Sequence, residues 1–447
     1  MEKTRQSSSP ALFSWQRTHA LSLELALRKH GVAKDGSDTG TGKTVVAMEV
    51  ARRLGKHPVV VCPKSVIPAW KEWYAKFFPD MEDFPVFNYE ALRVNRPKTP
   101  LISRQNKPRG KGSFTWHIDT DKAFIIFDED HRCKGSKSLN SKMLIAARRQ
   151  NIPLMLLGAT SCTDPTEMLA LGYALGLHKV TNFWCWCLNN GCKKGWFGGL
   201  EFSQKDAEYY LRPIHKHIYG SRGSRLRTKD IPDFPQTMIT ADSYAVDYPD
   251  KVDAIYERLA ELEDKKSEDD PDNPLVAQLR ARQEVELLKV PIFVELASDA
   301  IHEGNAVAIF VSFRDTLDEI VKGLKKRGHY GVTIHGDDTT KSRKDACEAF
   351  GEGQWVYCVS TISAGGVGIS LHDTSGERPR VALISPTFSA VDLKQALGRV
   401  HRAGSKTKSV QRIIFAAGTV EDRVCAAVRK KLHNLDLIND DELNPIL

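Results

Sequence analysis

Six short apolar runs punctuate the chain in two groups of three. Pro58 to Cys62, Ala123 to Phe127 and Ile152 to Leu157 form the first group, and Val307 to Val311, Trp355 to Val359 and Val381 to Ile384 the second. None alternates apolar with polar residues, so both faces of each strand are expected to be covered, as in a parallel sheet flanked by helices. Amphipathic segments such as Thr44 to Leu54 supply that cover. Between the groups, helices are expected over Pro249 to Leu262 and Pro274 to Glu303, separated by a solvated loop, Lys265 to Asn273. The predicted fold class is α/β, with two doubly wound domains and a helical and irregular insertion between them. Expected boundaries are 1–180, 181–305 and 306–447.

Composition narrows the picture. A chain of 447 residues exceeds what one core holds, and 41% hydrophobic with 27% charged residues is ordinary for a globular protein. No apolar run reaches membrane-spanning length, and Met1 to Pro10 lacks a signal-peptide core, so no membrane partner and a cytoplasmic location are expected. Nine cysteines, scattered through apolar strands (Cys62, Cys358) and helices (Cys347, Cys425), point to reduced thiols. The net charge of +8 favours nucleic acid only weakly. The stretch Arg93 to Lys111 has many basic residues and no acidic one, and reads equally as a surface loop or a phosphate-backbone contact.

The candidate chemistry begins at Ser37-Asp38-Thr39-Gly40-Thr41-Gly42-Lys43-Thr44. A glycine-rich turn opening a helix aims backbone N–H groups at phosphate oxygens. Lys43 adds a charge for the outer phosphates, and Thr44 a ligand for Mg²⁺. An apolar strand ending in Asp128-Glu129-Asp130-His131 supplies the partners. Asp128 would hold Mg²⁺ through water, and Glu129 would orient and deprotonate the attacking water. Far downstream, Gln395 to Arg402 reads as a helix with Arg399 and Arg402 on one face, placed to neutralise charge on a γ-phosphate. Before it, Ser360 to Ser370 packs Gly365, Gly366 and Gly368 behind an apolar strand, where backbone approaches a ligand closely.

In order, these segments resemble the superfamily-two helicases, most closely the Swi/Snf-type DNA translocases, in a small stand-alone form of the bacterial or phage kind. The resemblance covers residues 11 to 430 and extends to Trp15-Gln16, Pro63 to Trp73, Asn88 to Leu92, Leu156 to Ser161, Ser224 to Asp230 and His335-Gly336 with Arg343 and Phe350. It implies two RecA-like lobes with ATP in the cleft. Gln16 would read adenine, with Ser37 to Thr44 and Gly368 completing the nucleotide site. Pro63, Lys64, Ser65, Lys134, Arg225, Arg227 and Thr361 would contact nucleic acid, and His131, Thr160 and Gln395 would couple hydrolysis to movement. His401, like His131, is expected as an interlobe hydrogen-bond partner.

Two features depart from the family pattern: Val32 to Gly36 is more polar than the family's apolar strand, and Asp130 fills a position usually small. Ser37 stands where the general phosphate-loop pattern has its first glycine, which resembles the helicase form of the loop. Cys185, Cys187 and Cys192 form a tight thiol cluster, but lack paired Cys-x-x-Cys spacing, so ordinary thiols are preferred to zinc. Trp184, Trp186, Trp196 and Phe197 read as a core patch rather than a base-stacking platform.

The expectation is thus a monomeric, Mg²⁺-dependent ATPase moving along double-stranded DNA, with replication, repair or recombination proteins as possible partners and little length for a targeting domain. Two rivals stand beside it, an RNA helicase with the same acid box and a nucleic-acid clamp without turnover.

Overall fold

The computed structural model describes residues 12–94, 96–105, 113–135, 138–159, 161–195, 198–203, 205–231, 234, 237–264, 274–362, 369–386, 390–419 and 421. They fall into two compact units divided between Pro232 and Asp233. The expected insertion, 181–305, is not a unit of its own. Helix Ala207–Tyr219 buries Leu211, Ile214 and Ile218 in the first core, and helix Val290–His302 buries Phe293 and Ala297 in the second.

The first unit contains β1 (Val32–Asp35), β2 (His57–Cys62), β3 (Val86–Asn88), β4 (Ile102–Gln105), β5 (Ser113–Trp116), β6 (Ala123–Asp128), β7 (Leu154–Leu157), β8 (Cys192–Lys194), β9 (Leu200–Phe202) and β10 (Gly223–Ser224). Six of them form one wholly parallel sheet in the order β10-β1-β7-β6-β2-β3. The continuous apolar runs at β2, β6 and β7 are buried throughout, apart from partly exposed residues at strand starts, which is why they carry no polar alternation. Helices α1 (Ser14–His30), α2 (Lys43–Leu54) and α3 (Ile67–Phe77) belong to the same unit. Within Arg93 to Lys111, Ile102–Gln105 forms β4, paired antiparallel with β5, and Arg104 lies over the Phe114 ring.

β1 is the strand that apolar patterning does not reveal. All four of its residues are buried, Lys34 and Asp35 included. It lies between β10 and β7, so the chain leaving it enters the glycine turn at the carboxyl end of the sheet, the usual ligand side of parallel α/β folds.

The second unit repeats the plan with β11 (Thr237–Tyr244), β12 (Ala306–Val311), β13 (Gly331–Ile334), β14 (Tyr357–Thr361), β15 (Arg380–Ile384) and β16 (Ser409–Ala416). Its sheet is also wholly parallel, ordered β11-β16-β15-β12-β14-β13. The helix expected over Pro274 to Glu303 is two helices, Pro274–Leu288 and Val290–His302. Pro291 opens the second, where its missing N–H costs nothing, and buried Lys289 at the joint pairs with Glu421 at 2.7 Å.

Candidate functional site

Backbone conformation builds the phosphate loop. Gly40 and Gly42 take φ of 82° and 85°, a region that disfavours side chains, and α2 begins at Lys43 directly after them. Thr44 therefore lies in the first helical turn. Thr41 Oγ1 donates to the Asp38 carbonyl at 2.8 Å. Lys43 Nζ closes the loop on itself, donating to the carbonyls of Ser37 at 2.8 Å and Asp38 at 3.0 Å. Burial lowers the Lys43 ammonium's pKa, while Asp35, Glu129, Asp128 and Asp38 oppose that shift. The lysine and the acid box therefore share one electrostatic site. Gln16, buried in α1, donates through Nε2 to the Thr41 carbonyl at 2.9 Å, and its Oε1 caps the Phe13 N–H.

A segment nearly two hundred residues downstream holds the turn from outside. Asp38 accepts from Arg225 Nη2 at 2.8 Å and from the Thr228 N–H at 2.9 Å, and its own N–H donates to the Leu226 carbonyl. Leu226 N–H donates to Ser37 Oγ at 3.0 Å. His19 joins the same network, 3.1 Å from Ser37 Oγ, 2.8 Å from Ser224 Oγ and 3.2 Å from Asp35 Oδ1. Burial works to raise the Asp35 carboxyl, yet His19, Lys43 and Ser37 together hold it well below the usual carboxylate range. Ser37 thus serves as an anchor where the general pattern has glycine. Arg225, expected at nucleic acid, is turned onto Asp38, and Arg227 pairs with Asp230.

The acid box sits at the end of β6, one strand away from β1 across β7. Asp128 Oδ2 accepts the indole N–H of buried Trp70 at 2.9 Å, Oδ1 accepts the Glu129 N–H at 2.9 Å, and Tyr89 Oη donates to the Asp128 carbonyl at 2.8 Å. Burial, then the Glu129 charge, pushes the Asp128 carboxyl up to about 7, against the pull of Trp70 and Lys43. Glu129 adopts φ 54° and ψ 56°, left-handed for a residue with a side chain, and its carboxylate lies 3.3 Å from His131 Nδ1. Asp130 is fully buried against Lys34, with Nζ to Oδ2 at 2.8 Å. The polar strand and the unusual acid are therefore two halves of one ion pair.

Other expected contacts scatter. Pro63, Lys64 and Ser65 form a turn at the carboxyl end of β2, with Lys64 exposed, whereas Lys134 is paired with Glu167 at 2.9 Å. Thr361 ends β14 and is buried. Thr160 and Gly368 lie outside the described residues. In the second unit the helix stops at Leu397, so Arg399 and Arg402 lie beyond it, and the expectation of one helical face is corrected. Gly398, a poor helix former, marks the stop. The two arginines nevertheless converge, donating to the Ile369 carbonyl at 3.3 and 2.8 Å. Gln395 is buried on the helix before them, and the His401 ring packs edge-on to Phe234 of the same unit.

Cys187 and Cys192 are buried and Cys185 is exposed. His178 is spoken for, both ring nitrogens lying 3.1 Å from backbone carbonyls. Among the described residues no three His, Cys, Asp or Glu side chains gather to hold a bare metal ion. Mg²⁺ does not need such a cage, since it binds through one or two protein oxygens together with substrate phosphates. Asp128 fits that role, as a buried carboxyl beside a second acid whose charge a cation would offset. Among the described residues no helix is long and apolar enough to cross a membrane.

Comparison with known proteins gives concordant matches. The family described as type III restriction enzyme, res subunit, matches residues 28–161, and the helicase conserved C-terminal domain matches residues 288–404. A protein of Acanthamoeba polyphaga mimivirus named as an ATP-dependent RNA helicase is 33% identical over 98% of this chain and 85% of its own length. A Caenorhabditis elegans homologue of the SWI/SNF-related matrix-associated actin-dependent regulator of chromatin subfamily A-like protein 1 is 24% identical over 96% of this chain. The chain spans only 62% of that relative. Among solved structures, S. cerevisiae Dbp5 bound to RNA and ADP BeF3 superposes with a TM-score of 0.51 at 14% identity, covering 93% of this chain and 87% of that one. That likeness concerns the fold, a tandem RecA-like helicase core.

Proposed function

Because the chain belongs to the ATP-dependent helicases of superfamily two, of the Swi/Snf type, and is a nucleic-acid-dependent ATPase, we propose that it couples Mg-ATP hydrolysis to movement along double-stranded DNA. One observation carries the reading. The two segments that resemble the Swi/Snf branch, around Trp70 and from Ser224 to Thr228, are hydrogen-bonded into the nucleotide site itself, at Asp128 and Asp38. They are part of the engine.

In this reading the N–H groups of the glycine turn and Lys43 bind the phosphates. Thr44 and Asp128 would hold Mg²⁺, which when bound offsets phosphate charge. Glu129 orients the attacking water and takes its proton, and Arg399 and Arg402 supply positive charge to the transition state. Lys43→Ala and Glu129→Gln should each lower ATP turnover by about 100-fold or more, since each removes a group acting on the reacting phosphate. A normal turnover rate in either variant sinks the assignment.

A second reading, movement on RNA, is favoured by the name of the mimiviral relative. ATPase stimulation by duplex DNA, single strands and RNA, run beside strand and triplex displacement, separates the two. Duplex DNA stimulation with triplex displacement and no unwinding is the expected result. Stimulation by RNA alone reverses the order.

A further inference from the structure

Asp130 follows Glu129 directly and gathers two distant segments onto one carboxylate. Oδ2 takes Lys34 Nζ from β1 at 2.8 Å, and Oδ1 takes Ser161 Oγ, just beyond β7, at 2.7 Å. Lys34 also donates to the Gly158 carbonyl at 2.7 Å. A Cβ on Gly158 would collide with Asp130 Oδ1, so the glycine makes room for the acid. On the other side, Asp128 is fixed at its carboxylate by Trp70 and at its carbonyl by Tyr89. Glu129 is thus a left-handed residue between two anchored neighbours. A residue with a Cβ keeps that conformation only where its surroundings over-determine it.

We propose that the buried cluster Lys34, Asp130 and Ser161 is a positioning device for hydrolysis, which holds the Glu129 backbone left-handed and so aims its carboxylate at the attacking water. The inference rests on the reading of Glu129 as the residue that handles that water. It assigns a role to Lys34 of β1, which touches neither phosphate nor metal in that reading. It also explains why the acid beside Glu129 is tolerated in a fully buried position, where an unpaired carboxylate would be disfavoured.

The test separates positioning from folding. Breaking a buried ion pair at one end leaves an uncompensated charge, whereas replacing both partners by apolar groups of similar volume is often neutral for stability. The double variant Lys34→Met/Asp130→Leu should therefore melt within a few degrees of the wild type and bind a non-hydrolysable ATP analogue with unchanged Kd. Its kcat should fall about tenfold or more at unchanged KM, as expected when a reacting group is misplaced. Glu129→Gln runs in parallel. A wild-type kcat in the double variant beside a slow Glu129→Gln overturns this inference alone, and a wild-type kcat in Glu129→Gln overturns the parent reading and this inference with it. A folded double variant that loses analogue binding overturns it too, by moving the role to the phosphate loop. Should the double variant fail to fold, Ser161→Ala decides, since it removes one donor and leaves the ion pair. A several-fold lower kcat at unchanged Kd supports the inference, and an unchanged kcat overturns it.

Discussion

Glu129 holds φ 54° and ψ 56°, a conformation that costs a residue with a side chain about 1–2 kcal/mol relative to glycine. Glu129→Gly should accordingly raise thermal stability by roughly 1 kcal/mol while abolishing ATP turnover, a trade of function for stability measurable by melting and steady-state assay. Trp70 offers a second handle. Trp70→Phe keeps an aromatic ring in the buried site but removes the N–H on Asp128, a hydrogen bond to a charged group of the kind that contributes about 1.5–3 kcal/mol. The Mg²⁺ concentration that half-saturates nucleotide binding should rise in that variant, and an unchanged value would remove Trp70 from the metal side of the site. At this scale the candidate residues of the glycine turn and the acid box are legible because phosphate chemistry demands particular groups at particular spacings. Lys34 and Asp130 were legible only as two unrelated oddities. Their partnership is long-range, and opposite charges in a buried strand and beside an acid box were the one available signal.

The elements that hold the phosphate loop are a glycine turn and a short edge strand. β10 has two residues, yet the backbone running on from it bonds Ser37 and Asp38. Asp38→Ala deletes the acceptor for Arg225 and Thr228, so amide exchange across 224–228 should quicken and ADP affinity should fall several-fold, both by loss of loop order. Unchanged exchange would show that the backbone pairing suffices. Apolar strands were readable from their lack of alternation, while β1 was not, because Lys34 and Asp35 satisfy their charges internally. Arg399 and Arg402 were legible as a pair but not as a geometry. The helical spacing runs on through Gly398, but there the chain leaves the helix and lets both guanidinium groups meet at one carbonyl.

Each unit is built on a six-stranded parallel sheet, with the candidate acids and lysine in the first unit and the candidate arginines in the second. The second unit has its own sensitivity to acid. Burial, then Arg402 and Arg380, depress the His372 imidazole from 6.5 to about 4. The unfolded chain therefore takes up this proton below pH 6.5 and the folded one only near 4, so the stability linked to neutral His372 is lost across that window. His372→Gln should flatten the fall of melting temperature between those values, and a profile identical to the wild type would exclude the histidine. The downstream clamp on Ser37 and Asp38 has a consequence for synthesis. A ribosome that has released residues up to the acid box has delivered Lys43, Asp128 and Glu129, yet the nucleotide pocket stays unfinished until Thr228 emerges. Nascent chains halted before that point should ignore ATP, so the first unit gains its ligand late in its own translation, as its last strand arrives.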